Sequence, residues 1–256
     1  ARNLLVANYG GGNVAVFPIG EDGRLGEHSA FVQNAGSSVN PERQQGPHAH
    51  FIQVTPDNQL AIVADLGLDK LLVHRFDAET GSLTPASPAF VRADPGSGPR
   101  HLAFDPSGRF VYAVNELVST VTVFAYQQDP GTLHPLQAIS TLPEDFDGAN
   151  STAEIEVDAT GRTLYVSNRG HDSIAVFSID PTDGSLESMG WTPTGGRMPR
   201  HFAIDPTGRW LLAANQGSNT INLLRIDPTS GRLAPTEQSM KVAAPVCLRF
   251  VSSSRD

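Results

Sequence analysis

The chain has a single cysteine, Cys247, in 256 residues, so it can form neither an internal disulfide nor a zinc site of several thiolates. This fits a reducing compartment, and a cytoplasmic setting is expected. Cations are scarce: 18 Lys and Arg against 27 Asp and Glu give a formal charge of -9, and no basic cluster occurs. Phosphate backbones are bound through clustered Lys and Arg, which argues against nucleic acid as a main partner. No apolar run reaches the roughly 18 residues of a membrane-spanning helix, and ARNLLVANYG has neither the basic stretch nor the long apolar core of a secretion signal. A membrane partner is therefore not expected. The initiator methionine is missing too, so the expectation is a chain that begins inside a longer gene product or has lost residues before Ala1. Also absent are GxSxG, P-loop and HExxH patterns, which removes motif support for serine-hydrolase, nucleotide-driven and zincin chemistry.

A 3.6-residue apolar period is lacking as well, and an internal repeat stands in its place. PHAHFIQVTPDNQLAIVAD (47–65), PRHLAFDPSGRFVYAVN (99–115), STAEIEVDATGRTLYVSN (151–168) and PRHFAIDPTGRWLLAAN (199–215) align, each followed by a second alternating run and a turn. Apolar residues recur every second position, with Val, Ile, Phe, Tyr and Thr abundant, so these are strands. Four antiparallel strands per unit of about 50 residues define a β-propeller blade. The expected fold is all-β, a single propeller domain over residues 1–256 with about five blades. Four blades are complete in sequence. The fifth is expected to be composite, with PVCLRFV (245–251) closing as an innermost strand beside LLVAN (4–8) and removing two open edges.

DPSGR and DPTGR place Pro where φ is near -65° and Gly where φ is positive, so they form tight hairpin turns on one face. Antiparallel pairing then carries the start of each first strand and the end of each second strand to the opposite rim. That rim varies in charge from blade to blade. It collects His48, His50, Arg100, His101, Asn115, Glu116, Asn168, Arg169, Arg200 and His201, a set able to hold an anion and to move a proton. Asn115, Asn168 and Asn215 recur, as a structural cap would, while Glu116 has no carboxylate counterpart in the other units and Arg169 stands out in the same way. HAH at 48–50 presents two imidazoles on one strand face, but no third ligand lies in the same unit, and neither a metal nor another cofactor is expected.

The segments GPHAHFIQVTPDNQLAIVADLGLDKLLVHRFD, GPRHLAFDPSGRFVYAVNELVSTVTVFAY and PRHFAIDPTGRWLLAANQGSNTINLLRIDPTSGRL closely resemble the bacterial lactonase family of seven-bladed β-propellers. This family contains the propeller-type 6-phosphogluconolactonases and is related to the fungal carboxy-cis,cis-muconate lactonizing enzyme. The resemblance covers essentially the whole chain, with NYGGGNVAVF similar to the family's third blade, so about two N-terminal blades are expected to be missing. It implies a lactonase of the pentose phosphate pathway whose partner is a small lactone or sugar phosphate; lactone-forming chemistry on a muconate and a non-catalytic binding module are the alternatives. It also implies a catalytic set of Glu116, Arg100, Arg169 and a histidine of GPHAH, either His48 or His50. His101, Asn115, Asn168, Arg200 and His201 are expected to contact substrate. Oligomeric state is not legible in the sequence.

Overall fold

The structure, a computed structural model, describes residues 2–251 and contains no helix among them. Five antiparallel sheets follow one another along the chain. The first has three strands, β1 (Asn3–Asn8), β2 (Asn13–Pro18) and β3 (Ala30–Gln33). The second contains β4 (Ala49–Val54), β5 (Leu60–Asp65), β6 (Lys70–Asp77) and β7 (Ser82–Arg92). The third contains β8 (Pro99–Phe104), β9 (Phe110–Asn115), β10 (Thr120–Gln127) and β11 (Thr132–Ser140). The fourth contains β12 (Ser151–Val157), β13 (Thr163–Arg169), β14 (Ser173–Ile179) and β15 (Leu186–Pro193), and the fifth β16 (Pro199–Ile204), β17 (Trp210–Asn215), β18 (Thr220–Ile226) and β19 (Leu233–Lys241). The chain divides into two compact units, residues 1–138 and 139–256.

The burial of each strand explains its composition. Every residue of β5 (LAIVAD) and β9 (FVYAVN) is buried, because a middle strand of a blade is covered on both faces and reads as a continuous apolar run. The outer strands β7 and β11 expose many more of their residues. In the first unit Ile62, Leu71, Leu102, Val111 and Phe124 form one core between the second and third sheets, and Val14, Val16, Ala61 and Val63 form another between the first and second. In the second unit Tyr165, Phe202, Leu211 and Leu224 fill the core between its two sheets. Burying each such large side chain contributes about 1.5–3 kcal/mol.

The expected turns are present. In the third sheet the Asp105 carboxylate accepts the Phe110 amide at 2.7 Å, while Gly108, at φ +71°, donates its N–H to the Asp105 carbonyl. Asp205 and Gly208 repeat the arrangement in the fifth. In TPDNQ, Asn58 takes the positive-φ place at 59°; Asn tolerates this region better than most residues.

The composite blade is not formed as expected. Residues 245–251 contain no strand, and the N-terminal sheet has three strands. Pro245 has no N–H to give to a ladder, Ala244 before it sits at φ +40°, and the Leu248 amide is instead aimed at the His201 ring at 3.4 Å.

Each complete blade breaks the regular alternation near the start of its first strand. In β4, Ala49 pairs with Asp65 and Phe51 with Ala64, leaving His50 as the extra residue of a β-bulge. In β8 the extra residue is Arg100, between Pro99 and His101. In β16 it is Arg200, and in β12 the irregularity falls between Thr152 and Ile155. A bulge leaves its residue outside the ladder and re-aims the side chain.

Candidate active site

In the first unit the end of β9 and the bulge of β8 meet as the hairpin topology requires. The Arg100 Nε donates to Glu116 Oε2 at 2.9 Å, with both side chains buried. The other carboxylate oxygen, Oε1, accepts Nη2 of Arg43 at 2.7 Å. Two guanidinium groups on one carboxylate leave the cluster with a net charge of about +1, and the bond to Glu116 is the main cause holding Arg43 above the ordinary arginine range.

Arg43 leads on to a row of rings. Its Nη2 also approaches the Tyr9 hydroxyl at 3.4 Å. The Tyr9 ring stacks on His48 at 4.4 Å and meets His50 edge-on at 5.4 Å. His50 meets His101 at 5.1 Å, and His101 lies 4.6 Å from Phe51. The first unit thus joins His48, His50, Arg100, His101 and Glu116 of the expected set in one continuous assembly.

His48 has a defined tautomer. Its Nδ1 lies 3.0 Å from the Tyr9 carbonyl oxygen. A carbonyl only accepts, so in the neutral ring Nδ1 carries the proton and Nε2 keeps the lone pair. The Nε2 makes no hydrogen bond among the described residues. The His48 backbone is fixed by its amide, which donates to Asp65 Oδ1 at 2.8 Å. Burial holds the Asp65 carboxyl above its ordinary range, and the bonds from His48, Asn34, Leu68 and Gly67 offset this only in part.

A second buried carboxylate holds the loops. Asp69, at φ +51°, accepts Gly98 N at 2.7 Å and Gln44 Nε2 at 2.7 Å on Oδ1, and Gly96 N at 2.7 Å and Ser38 Oγ at 2.6 Å on Oδ2. The segment before Arg100 and the loop that carries Arg43 are thereby tied to one residue.

The second unit holds the remaining candidates. Glu154 Oε2 lies 3.0 Å from His201 Nε2 in a buried pair. The Leu248 amide points at His201 Nδ1, so the proton sits on Nε2 and faces the carboxylate. His201 thereby also holds the 245–251 segment. Arg169 is buried and donates Nη2 to the Thr152 carbonyl at 2.8 Å. Arg200 is half-buried in its bulge. Asn168 accepts Thr141 Oγ1 and donates to the Thr141 carbonyl, each at 2.8 Å, while the Asn115 amide donates to Thr120 and Thr122 at 2.9 Å. These are the capping roles that their recurrence predicts.

Comparison with known proteins shows the family. A family model described as "Lactonase, 7-bladed beta-propeller" matches residues 1–250. The chain belongs to the seven-bladed β-propeller lactonase family. It is 37% identical to a 6-phosphogluconolactonase of Bacillus subtilis over 249 residues, 97% of this chain and 70% of that protein. An uncharacterized protein of Lactococcus lactis is 43% identical over 79% of the chain, and the match spans 58% of the relative's length. The periplasmic gluconolactonase of Pseudomonas aeruginosa superposes with a TM-score of 0.91 at 39% identity, covering 98% of this chain and 70% of the other.

Sequence reasoning missed Arg43, Tyr9 and Asp69. Arg43 lies in a loop without repeat counterparts, and Tyr9, which follows Asn8 as Glu116 follows Asn115, stands in the incomplete first sheet outside the four aligned units. Asp69 was concealed as an ordinary turn residue in GLDK.

Proposed function

We propose that the chain is a carboxylic ester hydrolase that opens 6-phospho-D-glucono-1,5-lactone to 6-phosphogluconate without a cofactor. The names of the Bacillus and Pseudomonas relatives support a sugar lactone as substrate, and the lone cysteine is compatible with a reducing, cytoplasmic setting. The observation that carries the reading is His48, whose Nε2 makes no hydrogen bond among the described residues, linked through Tyr9 to the cationic Arg43–Glu116–Arg100 cluster.

His48 Nε2 takes a proton from water as the water oxygen attacks the lactone carbonyl carbon. Arg100, held by Glu116, supplies positive potential for the oxyanion that develops. As the tetrahedral species collapses, the ring C–O bond breaks, and the departing oxygen receives the proton from His48. The product acid ionises in water. No covalent enzyme intermediate is required.

The test is a coupled phosphogluconate dehydrogenase assay with spontaneous ring opening subtracted. Replacing His48 by Asn keeps a donor for the Tyr9 carbonyl and removes the base, and is expected to lower the catalysed rate by about a hundredfold. A His48→Asn enzyme as fast as the wild type would reject this assignment.

A further inference from the structure

Resting on the lactone-hydrolase reading, a division of labour between the two arginines of the cluster deepens it. The Arg100 side chain is 3% exposed and its Nε is committed to Glu116. Arg43 is different in each respect. Its side chain is 40% exposed, and among the described residues all of its side-chain hydrogen bonds, to Glu116 and Tyr9, leave through Nη2, with Nε and Nη1 unused. Its backbone is nevertheless fixed. The Arg43 amide donates to Asn40 Oδ1 at 3.0 Å, and the next residue, Gln44, is fully buried with its amide nitrogen on the Leu66 carbonyl and on Asp69.

We infer that Arg43 is the specificity-determining residue of this site, binding the phosphate of a phosphorylated lactone through the guanidinium nitrogens that Glu116 leaves uncommitted. An exposed guanidinium with Nε and Nη1 uncommitted can give charge-assisted hydrogen bonds to phosphate oxygens. A preset backbone removes part of the ordering cost of that contact. Glu116 holds Nη2, so the carboxylate orients Arg43 without consuming its other donors.

The experiment compares 6-phosphogluconolactone with glucono-1,5-lactone as substrates for the wild type, Arg43→Gln and Arg43→Lys, and measures binding of 6-phosphogluconate and gluconate by calorimetry. Arg43→Gln is expected to lower the kcat/KM preference for the phosphorylated lactone at least tenfold, mainly through KM, and to weaken 6-phosphogluconate binding by a similar factor relative to gluconate. Lysine restores part of the preference, since it keeps the charge and loses the fork. A preference unchanged by Arg43→Gln, or an equal fall on both lactones, overturns the assignment, the latter because Arg43 would then only position Glu116. If the wild type hydrolyses neither lactone above the spontaneous rate, the hydrolase reading fails and calorimetry alone decides. Selective loss of 6-phosphogluconate binding in Arg43→Gln then upholds the role of Arg43, and its absence, or a wild type that binds no 6-phosphogluconate, overturns it.

Discussion

Glu116 accepts a guanidinium on each of its two oxygens, and a carboxylate so engaged is better suited to orienting arginines than to taking a proton from water. The sequence alone left the base open between Glu116 and the histidines of GPHAH. The proposed mechanism takes His48, because the carbonyl of Tyr9 fixes which of its ring nitrogens keeps the lone pair. Another carboxylate, Glu156 on β12, shows how environment alone changes protonation. Burial is the main cause raising it to about 7; the Ile204 amide opposes this, nearby Glu154 adds to it and Arg249 opposes. The unfolded carboxyl ionises near 4.5, so between that pH and about 7 the folded state holds a proton that the unfolded state has lost. Stability therefore falls as pH rises through this window. Glu156→Gln, which keeps an oxygen for Ile204, is expected to raise Tm relative to the wild type at pH 8 and to leave it nearly unchanged at pH 4. Thermal unfolding at the two pH values checks this.

At the scale of elements, hairpins and turns were legible because their signals are local: alternation of apolar residues, and Pro and Gly at fixed places in DPSGR. The bulges were not legible, since a sequence pattern counts residues and the bulge is defined by pairing. His50, Arg100 and Arg200 are the extra residues that strict alternation would misplace. The segment 245–251 reads as a strand by composition, but Pro245 and the positive φ of Ala244 direct it elsewhere. One loop contact decides how the GPHAH turn sits. A Cβ on Gly67 would lie 1.9 Å from the Gly46 carbonyl oxygen and 2.9 Å from the His48 nitrogen. Gly67→Ala must push the His48 loop outward, with an expected cost of about 1–3 kcal/mol and a loss of kcat/KM larger than the stability change explains. Urea unfolding and the coupled assay, run on the same preparation, separate the two effects.

Across the whole molecule the sheets differ in how their edges are covered. Among the described residues β1 pairs as a strand only with β2, whereas in the four-stranded sheets β5, β9, β13 and β17 each lie between two partners. The repeated bulge has a further meaning for the history of such chains. When a blade is duplicated, the copy inherits a position already outside the ladder. Its side chain can then change from imidazole to guanidinium with no repair of the sheet, so new chemistry arises by substitution at a site the fold has already excused from pairing.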